Sequence, residues 1–323
     1  MPSLPPVAGL VQPLERWFRR AARDLPWRRR RTGWTALVSE ALLQQTQVVR
    51  VAERFPEFND KIKTALYDEA SCFFEHIIRE NRPVREILFA DYTFLNAELA
   101  KHYAVELPNS DAVLRKAEQV DSAHRGGLLG LGAVLAVTSA PLRTSPVKRG
   151  DWILRRVLDT SVPPPPANAG SIAADETPAD NLTVRQRLEA HRREASCVNC
   201  HSRIDPPGFA LEHFDPLGRW RETYRNGEAI DDSFATGNGA AIAGPAGLRN
   251  YLHQHQDQFY KTLCSKLLAY SLGRGELATD RQLVNQMLAD AKSGSGTLAD
   301  LIVDIVSSRQ FRERRRSEEV SGE

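Results

Sequence analysis

The stretch Cys197-Val198-Asn199-Cys200-His201 places two cysteines three positions apart, with a histidine directly after the second cysteine. The other two cysteines, Cys72 and Cys264, are distant in sequence, so the four cysteines lack the spacing of a disulfide-stabilised scaffold. A helix predicted from Leu182 to about Ala195 leads into this stretch, and a loop rich in proline and glycine follows it. The pattern predicts a mainly α chain, in which helical modules flank a small loop-rich segment and a proline-rich linker precedes it.

The spacing within residues 197–201 suits covalent attachment of haem c. Two intervening residues match the separation of the two sulfur atoms to that of the two vinyl groups of haem, and the adjacent histidine then lies beneath the iron. Cys197 and Cys200 are therefore predicted as tethers of a haem c cofactor, and His201 as an axial ligand of the haem iron. The loop-rich segment is thus predicted to be cytochrome-c-like. The expected function is electron transfer, or a part in a larger redox protein with an unknown redox partner.

The second axial ligand of the iron has no clear signal in the sequence. Met287 is one candidate, although its spacing within a predicted helix favours core packing. His191 and His213 are further candidates, and a five-coordinate iron is the remaining alternative.

Other interpretations of the same five residues stay open. A zinc site needs four ligands, and only His213 lies near the motif in sequence. A thioredoxin-like redox pair favours a βαβ context, which the pattern lacks. A chance occurrence of the pentapeptide would leave a haem-free helical scaffold.

The net charge differs between the N-terminal block and the rest of the chain, but the overall composition and charge do not indicate a binding partner. Hydrophobic residues make up 41% and charged residues 26% of the 323 residues, as is typical of a protein with a packed core, and the formal net charge is only +2. Residues 1–57 carry a net charge of +5 and the remainder −3. The predicted segments are 1–58, a helical module at 59–160, the proline-rich linker at 161–181, the CxxCH module at 182–240, a C-terminal helical module at 241–316 and a tail at 317–323.

Charged residues lie on both sides of the CxxCH stretch. Three basic residues are interpreted as a solvated loop, with binding of haem propionates or of a phosphate as the alternative: Arg143, Lys148 and Arg149. Three carboxylates are interpreted as loop caps near the haem, with a catalytic role as the alternative: Asp205, Glu212 and Asp215.

Several short segments between about residues 60 and 316 resemble those of a known family. They include Phe73-Phe74-Glu75-His76, Asp91-Tyr92-Thr93-Phe94-Leu95-Asn96, Arg125-Gly126-Gly127-Leu128-Leu129-Gly130, Ile204-Asp205-Pro206 and Leu272-Gly273-Arg274. With these segments the chain resembles a planctomycete-type multi-domain family of unknown function that contains a cytochrome-c-like CxxCH module. The resemblance implies a helical module, a CxxCH module and a second helical module, in exported proteins that bear haem.

The N-terminal block is similar to a different family. Asp24-Leu25-Pro26-Trp27-Arg28 and the run Ser-Glu-Ala-Leu-Leu-Gln-Gln-Thr-Gln at residues 39–47 resemble the start of MutY-type adenine DNA glycosylases. The resemblance implies that Glu40 is the acid that protonates adenine, and that Gln44 and Gln45 enter the DNA stack. A chance pair of basic amphipathic helices is the alternative.

The glycosylase resemblance ends near Phe58. The helix-hairpin-helix, the second catalytic aspartate and the four-cysteine cluster site of such enzymes find no place in the rest of the chain. Residues 1–58 are therefore interpreted as a fragment. We expect weak DNA binding by the arginine-rich residues 1–57, no base excision and no iron–sulfur cluster.

Localisation is a point of conflict between the two resemblances. Haem c is attached after export, so the family-type expectation is a periplasmic or exported protein. The first 33 residues have the pattern of a cytoplasmic protein rather than of a secretory signal, and no apolar run predicts a transmembrane segment. As written, the chain is expected to be cytoplasmic. We interpret it as a truncated or chimeric product, with a misassigned start or a genuine fusion as the alternatives.

Overall fold

The computed structural model describes residues 60–107, 111–118, 124–140, 142–164, 181–192, 195–235, 241–293 and 295–313. All of these residues belong to one unit, Asp60–Glu323. Their secondary structure is mostly α-helical with a few short strands, which confirms the predicted mainly α class. No helix in the described part of the chain has both the length and the apolar character needed to cross a membrane.

The helices are, in chain order, α1 (Asp60–Arg79), α2 (Glu86–Phe89), α3 (Ala97–Tyr103), α4 (Gly127–Gly130), α5 (Gly132–Val137), α6 (Pro146–Trp152), α7 (Val184–His191), α8 (Ala195–Phe209), α9 (Gly244–Gln254), α10 (Gln256–Leu272), α11 (Arg281–Lys292), α12 (Leu298–Ser307) and α13 (Arg309–Arg312). A π-helical turn, Ile153–Val157, continues α6, and a 3-10 turn, Ala278–Asp280, precedes α11. The strands form two antiparallel pairs, β1 (Tyr92–Leu95) with β2 (Arg115–Glu118), and β3 (Ser233–Ala235) with β4 (Ala241–Ala243).

Helix α1 is amphipathic, as the sequence predicts. Its buried residues Ile62, Leu66, Phe73 and Ile77 recur at intervals of four and seven positions, which places them on one face of the helix. The helix ends shortly before Pro83, in agreement with the expected stop. Its apolar face therefore packs into the core, together with one buried carboxylate, Glu69.

The sequence of residues 84–103 predicts one or two helices, but the structure also contains a strand there. Helix α2 is followed by β1, and only then does α3 begin. The aromatic residues Tyr92 and Phe94 favour an extended chain, and pairing with β2, which lies about twenty residues further on, holds them in a strand. The Asn96 side chain then accepts a hydrogen bond from Leu99 N (3.0 Å) and caps the start of α3.

Helix α6 lies where the sequence analysis predicted a basic loop. Ser145 caps the helix, since its hydroxyl oxygen accepts a hydrogen bond from Lys148 N (3.3 Å). Pro146 occupies the first turn, where a missing N–H leaves no hydrogen bond unmade. The proline therefore starts a helix instead of extending a loop.

Helix α8 continues past His201 through Pro206 and Pro207 to Phe209, although this proline-rich sequence predicted a loop. Proline has no N–H group to donate inside a helix, so the local sequence favours this segment only weakly. Contacts outside the helix must therefore stabilise it.

Close packing of α6 against α8 supplies such contacts. A Cβ atom on Gly150 would lie 1.8 Å from the carbonyl oxygen of Ile204, and a Cβ atom on Gly208 would lie 1.9 Å from that of Pro146. Only glycine allows the two backbones to approach so closely. The pair of glycines therefore sets the position of α8 relative to α6.

The C-terminal helices follow the prediction except at one point. The apolar spacing of residues 245–272 predicts one continuous helix, whereas the chain breaks at His255 into α9 and α10. Gly273 ends α10 in the left-handed conformation (φ 63°), as its place in the sequence indicated. Met287 on α11 is fully buried.

One hydrophobic core joins the N-terminal, central and C-terminal parts of the described chain. It includes Phe73 on α1, Ile153 after α6, Phe214 after α8, Leu248 on α9 and Met287 on α11. The helix that carries the CxxCH motif is thus anchored in a core shared with the segments on both sides of it in sequence.

Candidate functional site

The three predicted haem residues lie near the N-terminal end of α8. Cys197 precedes Cys200 by three positions and His201 by four, so the three side chains lie on one face of the helix. All three residues are half-buried, and the His201 side chain is 13% exposed. All four cysteines of the chain are thiols rather than disulfides. The two predicted tethers and the predicted axial ligand therefore share one helical face.

Asp205 orients the ring of His201. Its Oδ1 accepts a hydrogen bond from His201 Nδ1 (2.9 Å), one helical turn earlier on the same face. Because an ionised carboxylate can only accept, the proton lies on Nδ1 and the lone pair on Nε2. His201 therefore presents Nε2, the nitrogen that a metal ion would bind.

Asp205 also faces a cation. The residue is fully buried, and its Oδ2 lies 3.7 Å from Arg192 Nη1, just after α7. The interpretation of Asp205 as a loop cap is wrong, because α8 continues through this position and directs the carboxylate at His201. No pattern in the sequence indicates Arg192. The four-residue spacing of His201 and Asp205 would have revealed their contact if the helix had been predicted to continue.

One of the candidate second ligands of the iron lies beside His201. The ring of His191, at the end of α7, has its centroid 5.4 Å from that of His201, at an interplanar angle of 75°. His213 instead stacks on Trp220 (4.6 Å, 8°), and its Nδ1 donates to a main-chain carbonyl (2.7 Å). Met287 packs in the core, in agreement with the interpretation that its sequence spacing favoured. The identity of the second ligand stays a prediction.

Two carboxylates face the ring of His213. Glu222 Oε2 lies 3.6 Å from its Nδ1, and Asp232 Oδ2 lies 3.6 Å from its Nε2. Burial raises the pKa of Asp232, and the electrostatic interaction with the nearby His213 works against that rise. Both ring nitrogens of His213 thus have polar neighbours of their own.

The basic residues before the motif are not a solvated loop, which corrects the sequence interpretation. Lys148 is exposed, but Arg143 and Arg149 are buried, with 8% and 1% of their surfaces exposed. Arg149 donates hydrogen bonds to three main-chain carbonyls within residues 211–215 (2.6, 2.8 and 3.0 Å). A guanidinium group with five donors can satisfy several carbonyls at once, so Arg149 ties α6 to the segment after α8.

The two carboxylates after α8 have structural contacts. Asp215 caps a loop, as predicted: Oδ1 accepts from Arg219 N (2.9 Å) and Oδ2 from Arg219 Nε (2.6 Å). Glu212 is fully buried and accepts hydrogen bonds from Thr144 Oγ1 and from Arg221 Nη2 (3.1 Å). Glu212 therefore connects the segment before α6 to the segment after α8, whereas Asp215 stabilises its own loop.

The donor set on α8 consists of two thiols and one imidazole. Within the described residues, no group of three or more His, Cys, Asp or Glu side chains is arranged to hold a metal ion. A structural zinc site needs four protein ligands. Haem c needs only two thiols and one imidazole from this helix, because the porphyrin nitrogens supply four ligands of the iron. Cys197, Cys200 and His201 meet that smaller requirement.

The glycosylase-like residues lie outside the described part of the chain. This holds for Glu40, Gln44 and Gln45, as for all of residues 1–59. The role of Glu40 as a catalytic acid and the DNA binding of residues 1–57 stay predictions from the sequence.

The fold and the site define a mainly α protein whose central module presents a CxxCH motif on a helix. Three protein families match the chain one after another. The family described as protein of unknown function (DUF1592) matches residues 20–105, that described as protein of unknown function (DUF1588) matches residues 125–224, and that described as protein of unknown function (DUF1585) matches residues 238–311. Most of the described chain thus falls within matches to three domain families of unknown function.

The matches also bear on the candidate site and on the N-terminal block. Cys197, Cys200 and His201 fall within the second match. The first match includes residues 20–58, so it crosses the boundary predicted near residue 58. No solved structure matches the chain.

Proposed function

We propose that this protein is a cytochrome-c-like electron carrier, or the electron-carrying part of a larger redox protein, with haem c bound covalently to Cys197 and Cys200. The observation that supports this function is that both thiols and the His201 imidazole lie on one face of α8. The hydrogen bond from His201 Nδ1 to Asp205 adds to the support, because it leaves Nε2 for the iron.

Attachment is an addition reaction that these thiols can carry out. Each sulfur forms a bond to one vinyl group of haem, the vinyl double bond is lost, and the thiol proton goes to the neighbouring carbon. The addition transfers no electrons to or from the protein, and it requires both Cys197 and Cys200 in the reduced form. Since haem c is matured after export, the proposal includes a location outside the cytoplasm.

The surroundings of α8 suit electron transfer. Cys200 packs against the shared hydrophobic core, whereas Val198 is 40% exposed and Asn199 is exposed. One side of the motif therefore packs against apolar side chains, and the other side is accessible to a redox partner. The bound haem supplies one-electron chemistry, and burial on the core side together with the axial ligands tunes its potential.

The test of this function is covalent haem in the exported protein. The full chain is produced behind an export signal in a host with haem c maturation, and the purified protein is denatured, separated by electrophoresis and stained for haem. We expect a haem band in the wild-type protein and none in the Cys197→Ser, Cys200→Ser double variant, because the thioether bonds survive denaturation.

A matched control is Cys72→Ser, which changes a half-buried cysteine on α1 outside the motif. This variant is expected to keep the haem band. A soluble, folded wild-type protein without covalent haem would overturn the proposed function and favour a haem-free helical scaffold.

A further inference from the structure

A buried carboxylate lies directly behind the predicted iron ligand. Asp205 is fully enclosed (0% exposed), and its Oδ1 accepts the hydrogen bond from His201 Nδ1 (2.9 Å). Its other oxygen, Oδ2, is buried, makes no hydrogen bond within the described residues and lies 3.7 Å from Arg192 Nη1. A guanidinium, a carboxylate and an imidazole thus follow one another from the end of α7 to the face of the motif.

Such an arrangement is costly without compensation. Removing a carboxylate from water is unfavourable by several kcal/mol unless charges and hydrogen bonds offset the loss of solvation. Asp215 has both oxygens hydrogen-bonded to the loop that it caps, in particular to Arg219. Asp205 instead directs its hydrogen bond to the ring of His201, and its second oxygen lies 3.7 Å from Arg192 Nη1. The contacts of Asp205 therefore point to a role in supporting the His201 ring rather than in stabilising the main chain.

The cation of this arrangement is held in place by the fold. The Arg192 side chain is 22% exposed, and its guanidinium carbon lies 5.2 Å from the centroid of the Phe234 ring on β3. Phe234 in turn stacks on Phe209 at the end of α8 (5.7 Å, 7°). The same helix that presents His201 therefore also positions the support for Arg192.

We propose that Asp205 and Arg192 form a charge pair that sets the reduction potential of the haem bound at His201, an inference that rests on the proposed function. Asp205 is a positioning residue, since it acts through His201. A carboxylate bound to Nδ1 makes Nε2 a stronger donor, which favours the oxidised, more positive state of the iron and lowers the potential. Arg192 partly neutralises that carboxylate, so its charge raises the potential.

The test is an equilibrium redox titration of the haem-loaded full chain, followed by absorption spectroscopy. Asp205→Asn keeps the size of the side chain and removes its charge. We expect it to shift the equilibrium towards reduced haem at least tenfold, which is about 59 mV for one electron. Arg192→Gln is expected to shift the equilibrium in the opposite direction, towards oxidised haem. Asp205→Glu keeps the negative charge. Its reduction potential should therefore differ from that of the wild type by less than half as much as that of Asp205→Asn.

The matched control is Asp280→Asn. Asp280 is also fully buried and pairs with an arginine, Arg274 (2.6 Å), but it lies before α11. This variant controls for the loss of a buried carboxylate in general and should leave the potential unchanged.

Each outcome bears on the proposal. Covalent haem with the same potential in the wild type, Asp205→Asn and Arg192→Gln would overturn the charge pair and leave the proposed function intact. Shifts in the same direction for both variants would also overturn it. If Asp205→Asn does not fold, the Arg192→Gln variant tests the proposal on its own. A reduction potential of Arg192→Gln equal to that of the wild type would then contradict the charge pair. A wild-type protein without haem would overturn the proposed function and this inference together, and that result is distinguished by the haem stain.

Discussion

Glu69 on α1 is a buried carboxyl group away from the candidate site. It is fully enclosed, and it accepts hydrogen bonds from Thr93 Oγ1 (2.7 Å), Tyr103 Oη (2.7 Å) and Gly132 N (3.2 Å). Burial raises the pKa of Glu69 above its ordinary value of 4.5, although the hydrogen bonds from Tyr103 and Thr93 work against the rise. This one side chain therefore joins α1 to β1, α3 and α5.

The raised pKa of Glu69 predicts how stability depends on pH. In the folded state the group holds its proton to a higher pH than in the unfolded chain, so its contribution to stability is present below the unfolded value of 4.5 and is lost as the pH rises through the folded value. Glu69→Gln, which does not titrate, should remove this loss. The free energy of unfolding, measured in urea from about pH 4 to about pH 8, should fall less steeply with pH in the variant.

The control for this prediction is Glu98→Gln on α3, an exposed position. Its pH profile should follow that of the wild type. An unchanged slope in Glu69→Gln would show that the ionisation of this carboxyl does not govern the pH dependence.

For single residues, the sequence indicated which side chains belong to a motif better than it indicated which side chains are buried. The residues of the CxxCH motif were found because their spacing is itself the signal. The buried positions of Arg149 and Asp205 were not predicted, since charged residues are usually exposed and only the fold shows which groups compensate their burial. Arg192 carries no sequence pattern of its own, and only the folded chain brings it close to Asp205.

The contact between α6 and α8 decides the position of the motif helix. Gly150 is expected to be indispensable, since a Cβ atom there would overlap the Ile204 carbonyl oxygen at 1.8 Å. Gly150→Ala should force the two helices apart and lower the free energy of unfolding by about 3 kcal/mol. Urea unfolding followed by circular dichroism measures the change.

The matched control is Gly275→Ala, because no atom of the described residues beyond its two chain neighbours lies within 4 Å of a Cβ placed there. Its effect should stay within about 0.5 kcal/mol. Equal stability of the two variants would mean that α6 and α8 can separate without cost.

Helices with a strong apolar period were predictable, whereas elements that depend on a distant partner were not. Helix α1 and the C-terminal helices belong to the first kind, and Gly273 marked the end of α10 correctly. Strand β1 needs β2, and α8 needs α6 to continue past Pro206. The tendency of proline to end a helix is a property of the local chain, and in α8 the tertiary packing outweighs it.

The three matched segments share one core, and a main-chain hydrogen bond joins the first of them to the third. Val84, within the first match, donates its N–H to the carbonyl of Gly296, within the third (2.9 Å). The core itself contains Phe73, Phe214 and Met287, one from each match. The described residues should therefore unfold as one cooperative unit rather than as three.

A core substitution tests this cooperativity. Met287→Ala should lower the free energy of unfolding by about 2–5 kcal/mol. Hydrogen exchange of the slowest amides, measured by mass spectrometry, should then accelerate at least tenfold in α1 and α6 as well as in α11. This factor corresponds to a decrease of about 1.4 kcal/mol in the free energy of opening. Acceleration confined to α10–α12 would instead mean that the C-terminal helices open on their own.

Met287→Leu is the matched control, because it conserves the side-chain volume. It should cost less than about 1.5 kcal/mol. In haem-loaded protein it should also leave the absorption spectrum unchanged, as expected for a core residue that does not bind the iron.

The sequence by itself determined the mainly α class, the amphipathic helices and the CxxCH motif. Each of these is encoded in residues a few positions apart, where periodicity and spacing act directly. Only the tertiary structure decided that α8 continues through two prolines, that Arg149 is buried, and that Asp205 faces both His201 and Arg192. The reason is physical: burial, backbone contact and compensation of charge depend on segments that are distant in sequence and meet only in the folded chain.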